Sequence, residues 1–122
     1  MKIKKNLSGT KIAREVIRLR LSQLLINEIY KEKTFKIPIH LALGHEAIAI
    51  AVSENVKEKD FAVLSHRNIH YNLAKNTSIN RLIDEYLLKE DGLARGQLGS
   101  MNLANKEEGL IYTSSILGNN LG

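Results

Sequence analysis

The side chains best suited to chemistry directly follow a short apolar run, in the stretch FAVLSHRNIHYNLAK at residues 61–75. The run ends at Ser65, and His66, Arg67 and His70 come next. A strand that ends in polar residues and leads into a helix is where open α/β folds bind ligands. The Arg67 guanidinium is a planar fork suited to phosphate oxygens, and His66 adds a donor beside it. These residues indicate an anion site, with an arginine paired to a carboxylate and a surface histidine as the alternative.

Two further arrangements of histidines could also take part in chemistry. His40 follows the sole proline and precedes a predicted helix that opens with His45 in its first turn. An imidazole at such a junction can donate to a substrate carbonyl or carboxylate, although backbone groups can equally satisfy it. His66 and His70 are four residues apart, which on a helix places both rings on one face, as in zinc helices. No recognised spacing supplies a third ligand, so we predict no metal site in these residues.

Helical periodicity and one apolar run predict the elements that position these residues. The helices are predicted over residues 10–30, 44–56, 68–75 and 79–90, and one buried strand over residues 61–65. From Gly92 onward the sequence is rich in Gly, Asn and Ser and is predicted to be loop. Its GLARGQLGSMN segment lacks the Lys-Ser/Thr ending of a nucleotide-binding loop and follows no strand, so it predicts no nucleotide site.

Composition narrows the class of protein. The 122 residues suffice for one domain, and 43% apolar and 25% charged residues are typical of a folded soluble chain.

The absence of cysteine excludes disulfides and fits a reducing compartment. No secretory signal is recognised, so we expect a cytoplasmic protein. The longest apolar segment is interrupted by His45 and Glu46, which argues against a membrane span. The net charge of +5 is concentrated near the amino end, but aromatic residues make up only 5%, so nucleic-acid binding is not expected.

Two motifs in a fixed order carry a family resemblance. His-Leu-x-x-Gly-x-Glu-Ala in HLALGHEA is followed by Ser-His-Arg-Asn, then by DEYLLKEDGLARGQLGSMN and SSILGNN. This order resembles the alpha subunit of the thiamine-diphosphate-dependent 2-oxoacid dehydrogenases, the decarboxylating component of pyruvate, branched-chain and acetoin dehydrogenase complexes. The resemblance implies the amino-terminal part of an α/β thiamine-diphosphate-binding fold, a parallel sheet flanked by helices, mostly helical and incomplete in the part present. Residues 1–36 would form a basic leading helix and loop, and residues 37–122 the first part of the binding domain.

The resemblance also implies roles for individual residues. His66 and Arg67 would contact the diphosphate of the cofactor. His40 would line the substrate channel and help to hold the 2-oxoacid, as the catalytic residue of this part of the chain. Ser115 and Leu117 would lie against the aminopyrimidine ring, largely through backbone groups.

The activity implied by the resemblance is oxidative decarboxylation of a 2-oxoacid, or cleavage of acetoin, with acyl transfer to a lipoyl carrier. The implied partners are a beta subunit, in an α2β2 assembly, and a lipoyl-bearing acyltransferase. The ligands of the Mg²⁺ that bridges the diphosphate are expected beyond residue 122. We therefore expect the isolated chain to be inactive and to bind no thiamine diphosphate measurably at low micromolar concentration.

Three positions depart from the family pattern. The family usually has Gln where His45 stands, often His where Ile69 stands, and commonly His where Asn102 stands. These differences bear on the choice of substrate. An alternative function is a non-catalytic helical interaction module derived from the same fold, which docks an acidic partner through its basic first helix.

Overall fold

The computed structural model describes residues 9–75 and 78–115. These residues are mostly helical and contain a two-stranded parallel sheet, so the predicted α/β class is confirmed. No helix among the described residues combines the length and apolarity needed to cross a bilayer. In chain order the elements are α1 (Gly9–Lys31), α2 (Glu46–Asn55), β1 (Ala62–Leu64), α3 (Ile69–Lys75), α4 (Ile79–Tyr86), a 3₁₀ turn (Lys106–Glu108) and β2 (Leu110–Thr113).

The sheet places the ends of β1 and β2 side by side. The two strands run parallel, with Ala62 opposite Leu110 and Leu64 opposite Thr113, and the register is irregular after Ala62. In a parallel pair both carboxyl ends lie at the same edge, so the residues after Leu64 and after Thr113 are neighbours. α3 begins shortly after β1, on the far side of the turn that holds the predicted anion site.

One face of α1 packs into the core of the described part. Leu19, Gln23 and Ile26 are buried at helical spacing, and α1 contacts both α2 and α3. The Gln23 amide oxygen accepts the Ala42 N–H at 2.8 Å, which holds the loop before α2 against this helix. The buried apolar residues around this contact are Leu19, Ile26, Phe35, Ala42, Ala49, Ile50, Ile69, Leu73, Leu82, Tyr86 and Leu103.

Two helix boundaries differ from the prediction for a backbone reason. α2 begins at Glu46 and not at Gly44, because Gly44 has a left-handed φ of +94° that a helix cannot contain. α4 ends at Tyr86 and does not continue to Glu90, because the chain reverses at Leu88, with φ of +60°. The reversal brings Gly96 so close to Leu88 that a Cβ at Gly96 would lie 2.4 Å from the Leu88 carbonyl carbon.

Two predictions about strands were wrong. The region after Gly92 was predicted as loop only, yet Leu110–Thr113 forms β2. The run at residues 61–65 was predicted to be buried, but Phe61 and Val63 are exposed and only Leu64 is buried.

Candidate active site at the carboxyl edge of the sheet

A strained turn presents Arg67 after β1. Arg67 has a left-handed φ of +62°, which costs roughly 1 kcal/mol in a residue with a Cβ. The next residue, Asn68, is buried, and its carbonyl accepts the N–H groups of Tyr71 and Asn72 in the first turn of α3. The left-handed backbone at Arg67 therefore allows α3 to begin shortly afterwards while the Arg67 side chain stays exposed. Its Nη1 donates to the Leu41 carbonyl at 3.3 Å.

Arg67 forms no ion pair within the described part of the chain. The alternative interpretation of this arginine, a structural pairing with a carboxylate, therefore finds no support in residues 9–75 and 78–115. A guanidinium that donates to a single carbonyl retains most of its donors for an anion.

Two histidines from distant parts of the chain meet beside Arg67. The rings of His40 and His66 lie edge to face, with centroids 4.6 Å apart. His40 Nδ1 lies 3.4 Å from Ser100 Oγ. Burial lowers the pKa of His40, and the charges of His66 and Arg67 lower it further. These effects all favour the neutral imidazole of His40 over the imidazolium.

A second histidine pair lines a pocket next to Arg67. The rings of His45 and His70 have centroids 5.8 Å apart, and Nδ1 of the buried His70 has no hydrogen-bond partner among the described residues. Burial, reinforced by His45 and opposed by Glu46, lowers the pKa of His70 to about 4. The pocket has a volume of about 240 Å³ and is lined by Ala42, Leu43, His45, Ser65, His66, Arg67, His70 and Tyr71.

The residues after β2 lie beside this group. The Ser114 N–H donates to the Leu64 carbonyl at 2.9 Å and so extends the strand pairing to the end of β1. Ser115 follows Ser114 directly and is exposed. Leu117, predicted to contact the same cofactor, lies outside the described residues.

His66 and His70 do not share a helix face, which agrees with the predicted start of the helix after His66. α3 begins at Ile69, and His66 therefore precedes the helix. Each of the two instead contacts a histidine from the loop before α2. Within the described ranges, no three His, Cys, Asp or Glu side chains are grouped closely enough to hold a metal ion.

An ion pair between the buried Glu46 and the partly exposed Arg20 fixes the loop that carries His40 and His45. The Glu46 carboxylate is 2% exposed and accepts bonds from Arg20 Nε at 2.6 Å and from Arg20 Nη2 at 3.0 Å. Gln23 and the Gly44 N–H also donate to it. Chiefly because of the Arg20 bond, the pKa of Glu46 falls to about 2.

A second buried carboxylate, Glu85, organises the glycine-rich loop. Its two oxygens accept four backbone N–H groups at 2.7–3.1 Å, from Ala94, Gly96, Leu98 and Gly99. The amides that resemble a phosphate cradle therefore face an internal carboxylate. Sequence reasoning missed this role, although an acidic residue next to the apolar stripe of α4, followed by a glycine-rich loop, was a usable signal.

Comparison with known proteins identifies the family. The family described as "Dehydrogenase E1 component" matches residues 13–121, and the chain therefore belongs to that family. The alpha subunit of acetoin:2,6-dichlorophenolindophenol oxidoreductase from Bacillus subtilis is 27% identical over 93 residues, which cover 76% of this chain and 28% of that protein.

Mitochondrial pyruvate dehydrogenase E1 component alpha subunits are similar to the same degree. The protein from Chaetomium thermophilum is 27% identical over 75% of this chain and 22% of its own length. The protein from Solanum tuberosum is 26% identical over 86% of this chain and 27% of its own length. The chain thus spans about a quarter of the length of these relatives.

Proposed function

We propose that the chain is the amino-terminal part of a thiamine-diphosphate-dependent dehydrogenase alpha subunit. Its reaction is oxidative decarboxylation of a 2-oxoacid, or cleavage of acetoin, with acyl transfer to a lipoyl carrier. The observation that supports this most is the Arg67 turn, which presents a guanidinium with no carboxylate partner among the described residues at the joint carboxyl edge of two parallel strands. The relatives, an acetoin oxidoreductase alpha subunit and a pyruvate dehydrogenase alpha subunit, support it.

The residues present fit a diphosphate group. The described lining of the pocket contains Arg67 and three imidazoles and no carboxylate. His70, which lines this pocket, has a buried Nδ1 without a hydrogen-bond partner among the described residues. Glu46, which follows His45 in the chain, is already paired with Arg20. An anion entering the pocket therefore meets donors and no competing negative charge from the described lining.

The residues of this chain would bind and orient the cofactor. Arg67 and His66 would hold the diphosphate, and Ser115 and Leu117 would lie against the aminopyrimidine. His40 would contact the substrate, where its neutral imidazole can exchange a proton. When bound, thiamine diphosphate supplies the electron sink for decarboxylation. We assign no described residue to Mg²⁺, because no suitable group of ligands occurs in that part of the chain.

The remaining elements of the proposal concern the assembly. We propose a beta subunit as partner in an α2β2 complex, a lipoyl-bearing acyltransferase as acceptor, and a cytoplasmic location. Residues 1–36 would serve as the leading helix and loop, and residues 37–122 as the start of the cofactor-binding domain. Neither nucleic acid nor a membrane enters the proposal.

Inorganic pyrophosphate is expected to bind the chain weakly, with a dissociation constant on the order of 1 mM. The Arg67→Gln variant should bind it about tenfold more weakly, because a charge-assisted, two-pronged contact is lost. The measurement is a titration monitored by the imidazole NMR signals of His40 and His66. Thiamine without phosphate should leave these signals unchanged at the same concentration.

Arg95→Gln is the matched control for this experiment. Arg95 is also an exposed arginine with a left-handed backbone, with φ of +56°, but it does not line the pocket. The control variant should bind pyrophosphate like the parent chain. Equal weakening by both variants, or none by Arg67→Gln, would contradict the assignment of the diphosphate to Arg67.

A second candidate function rests on the outer face of α1. Ile17, Leu21 and Leu25 form an exposed apolar ridge at i, i+4, i+8 spacing, with Arg14 at its rim. A ridge of this kind suits a non-catalytic module that docks an acidic partner. The two candidates differ in one measurable respect, because only the first requires pyrophosphate binding that depends on Arg67.

A further inference from the structure

Ser100 connects the glycine-rich loop to His40. The loop that Glu85 holds ends at Gly99, so the position of Ser100 is set by backbone that is already tied down. The Ser100 side chain is buried, and its Oγ has two neighbours: it donates to the Pro38 carbonyl at 2.5 Å and lies 3.4 Å from His40 Nδ1. Both neighbours belong to the segment that precedes α2.

The proton on Ser100 can serve only one of these neighbours. A hydroxyl has one hydrogen, and a backbone carbonyl can only accept. The shorter contact, to Pro38, therefore takes the Ser100 hydrogen. Ser100 Oγ then presents lone pairs to His40, and the contact is favourable only when Nδ1 carries the imidazole hydrogen. Free neutral histidine in water prefers the other tautomer, with its hydrogen on Nε2, so the site must impose this choice.

We propose that Ser100 is a positioning residue that holds His40 as its Nδ1–H tautomer and so leaves the lone pair of Nε2 as a hydrogen-bond acceptor. The proposed tautomer follows from the contacts among Ser100, Pro38 and His40 and requires no cofactor. That Nε2 meets a substrate rests on the proposed function.

The tautomer of His40 restricts which chemical groups of a substrate can form a hydrogen bond with its Nε2. An Nε2 lone pair accepts a hydrogen bond from a hydroxyl and repels a carboxylate. Burial, together with the charges of His66 and Arg67, disfavours the imidazolium form of His40, which could have donated to a carboxylate from both nitrogens. On the proposed function, the substrate group at His40 is therefore a hydrogen-bond donor, such as the hydroxyl of a 2-hydroxyketone, and a 2-oxoacid carboxylate is held elsewhere in the site.

The tautomer can be read directly in the ¹⁵N-labelled chain by long-range ¹H–¹⁵N correlation, without any cofactor. The spectra are recorded above the pH range in which imidazoles titrate, and a His40→Gln variant assigns the signals. We expect protonated Nδ1 and unprotonated Nε2 for His40 in the parent chain. In Ser100→Ala the hydrogen should move to Nε2, and in Ser100→Thr, which keeps the hydroxyl, it should stay on Nδ1.

Ser53→Ala is the control, because the Ser53 hydroxyl also donates to a backbone carbonyl, that of Ala74, within the α2–α3 contact. It should leave the His40 signals unchanged. A parent chain with the hydrogen on Nε2 of His40 would overturn the proposal, whether or not any variant folds. An unchanged tautomer in a folded Ser100→Ala would overturn it as well. Failure of pyrophosphate to bind would count against the proposed function and leave the tautomer result intact.

Discussion

Replacing Glu85 with glutamine is expected to lower the free energy of unfolding by about 4 kcal/mol. Four backbone N–H groups point at the two carboxylate oxygens, and Glu85 itself is fully buried. A glutamine has one oxygen and one NH₂ group. Two of the four amides would therefore face a donor in place of an acceptor, and the two that keep an acceptor would lose its charge.

The surroundings of Glu85 leave it no alternative arrangement. Gly92 approaches so closely that a Cβ there would lie 2.6 Å from Glu85 Oε2. Water cannot readily replace the lost acceptor in so tight a space, and each unsatisfied amide costs about 1–3 kcal/mol. Because the loop also carries Ser100, its release should disturb the contact between Ser100 and His40.

Urea unfolding monitored by far-UV circular dichroism measures this effect. Glu107→Gln is the control, because Glu107 is exposed and pairs with Arg81 at the surface, where such pairs contribute less than about 1 kcal/mol. Faster amide exchange at Gly96 and Gly99 in the Glu85 variant would locate the defect in the loop. A loss of stability as small as that of the control would show that the carboxylate does not hold the loop.

The Glu46→Gln variant is expected to lose about 2 kcal/mol of stability at pH 7. The pKa of Glu46 is about 2 in the folded chain against an ordinary value of 4.5, so folding stabilises the ionised form. The full shift would correspond to about 3 kcal/mol. We expect less because the Arg20 side chain is 46% exposed and solvent screens its charge.

The sign of this effect predicts a specific pH dependence. Because folding lowers the pKa of Glu46, the ionised carboxylate stabilises the folded chain. Its contribution to the free energy of unfolding is fully present above pH 4.5 and is lost as the pH falls toward 2. The stability of the parent chain should therefore decline more steeply over this interval than that of Glu46→Gln, and the two should converge at its acidic end.

Unfolding curves at several pH values between neutrality and pH 2 test this prediction. Glu28→Gln is the control, since Glu28 pairs with Lys31 on the exposed surface of α1 and should contribute little at any pH. Parallel pH profiles for the parent chain and Glu46→Gln would rule out a stabilising Glu46 carboxylate.

The local parts of the fold could be predicted from the sequence. The periodicity of α1 predicted residues 10–30, and the helix spans Gly9–Lys31. The sequence placed polar residues directly after a strand, and Arg67 lies at such a strand end with a pocket beside it. That this pocket binds a ligand stays a prediction. Both inferences rest on spacing within a short segment, where side-chain period and backbone geometry are directly linked.

The contacts between distant segments of the chain could not be predicted from the sequence. β2 has only four residues, Leu110–Thr113, and its partner β1 lies far upstream, so no local pattern indicates the pairing. The pairing of Glu46 with Arg20 and the contact of Ser100 with His40 likewise join distant segments. The chain reversal at Leu88 was missed because a leucine gives no signal for a left-handed backbone.

The left-handed backbone at Arg67 limits how this chain can be engineered for thermostability. Glycine at that position would relieve roughly 1 kcal/mol of backbone strain. A library screened only for heat resistance would therefore be enriched in sequences that have lost the guanidinium beside the pocket. Arg95 offers the same relief outside the pocket, and substitution there avoids that trade-off.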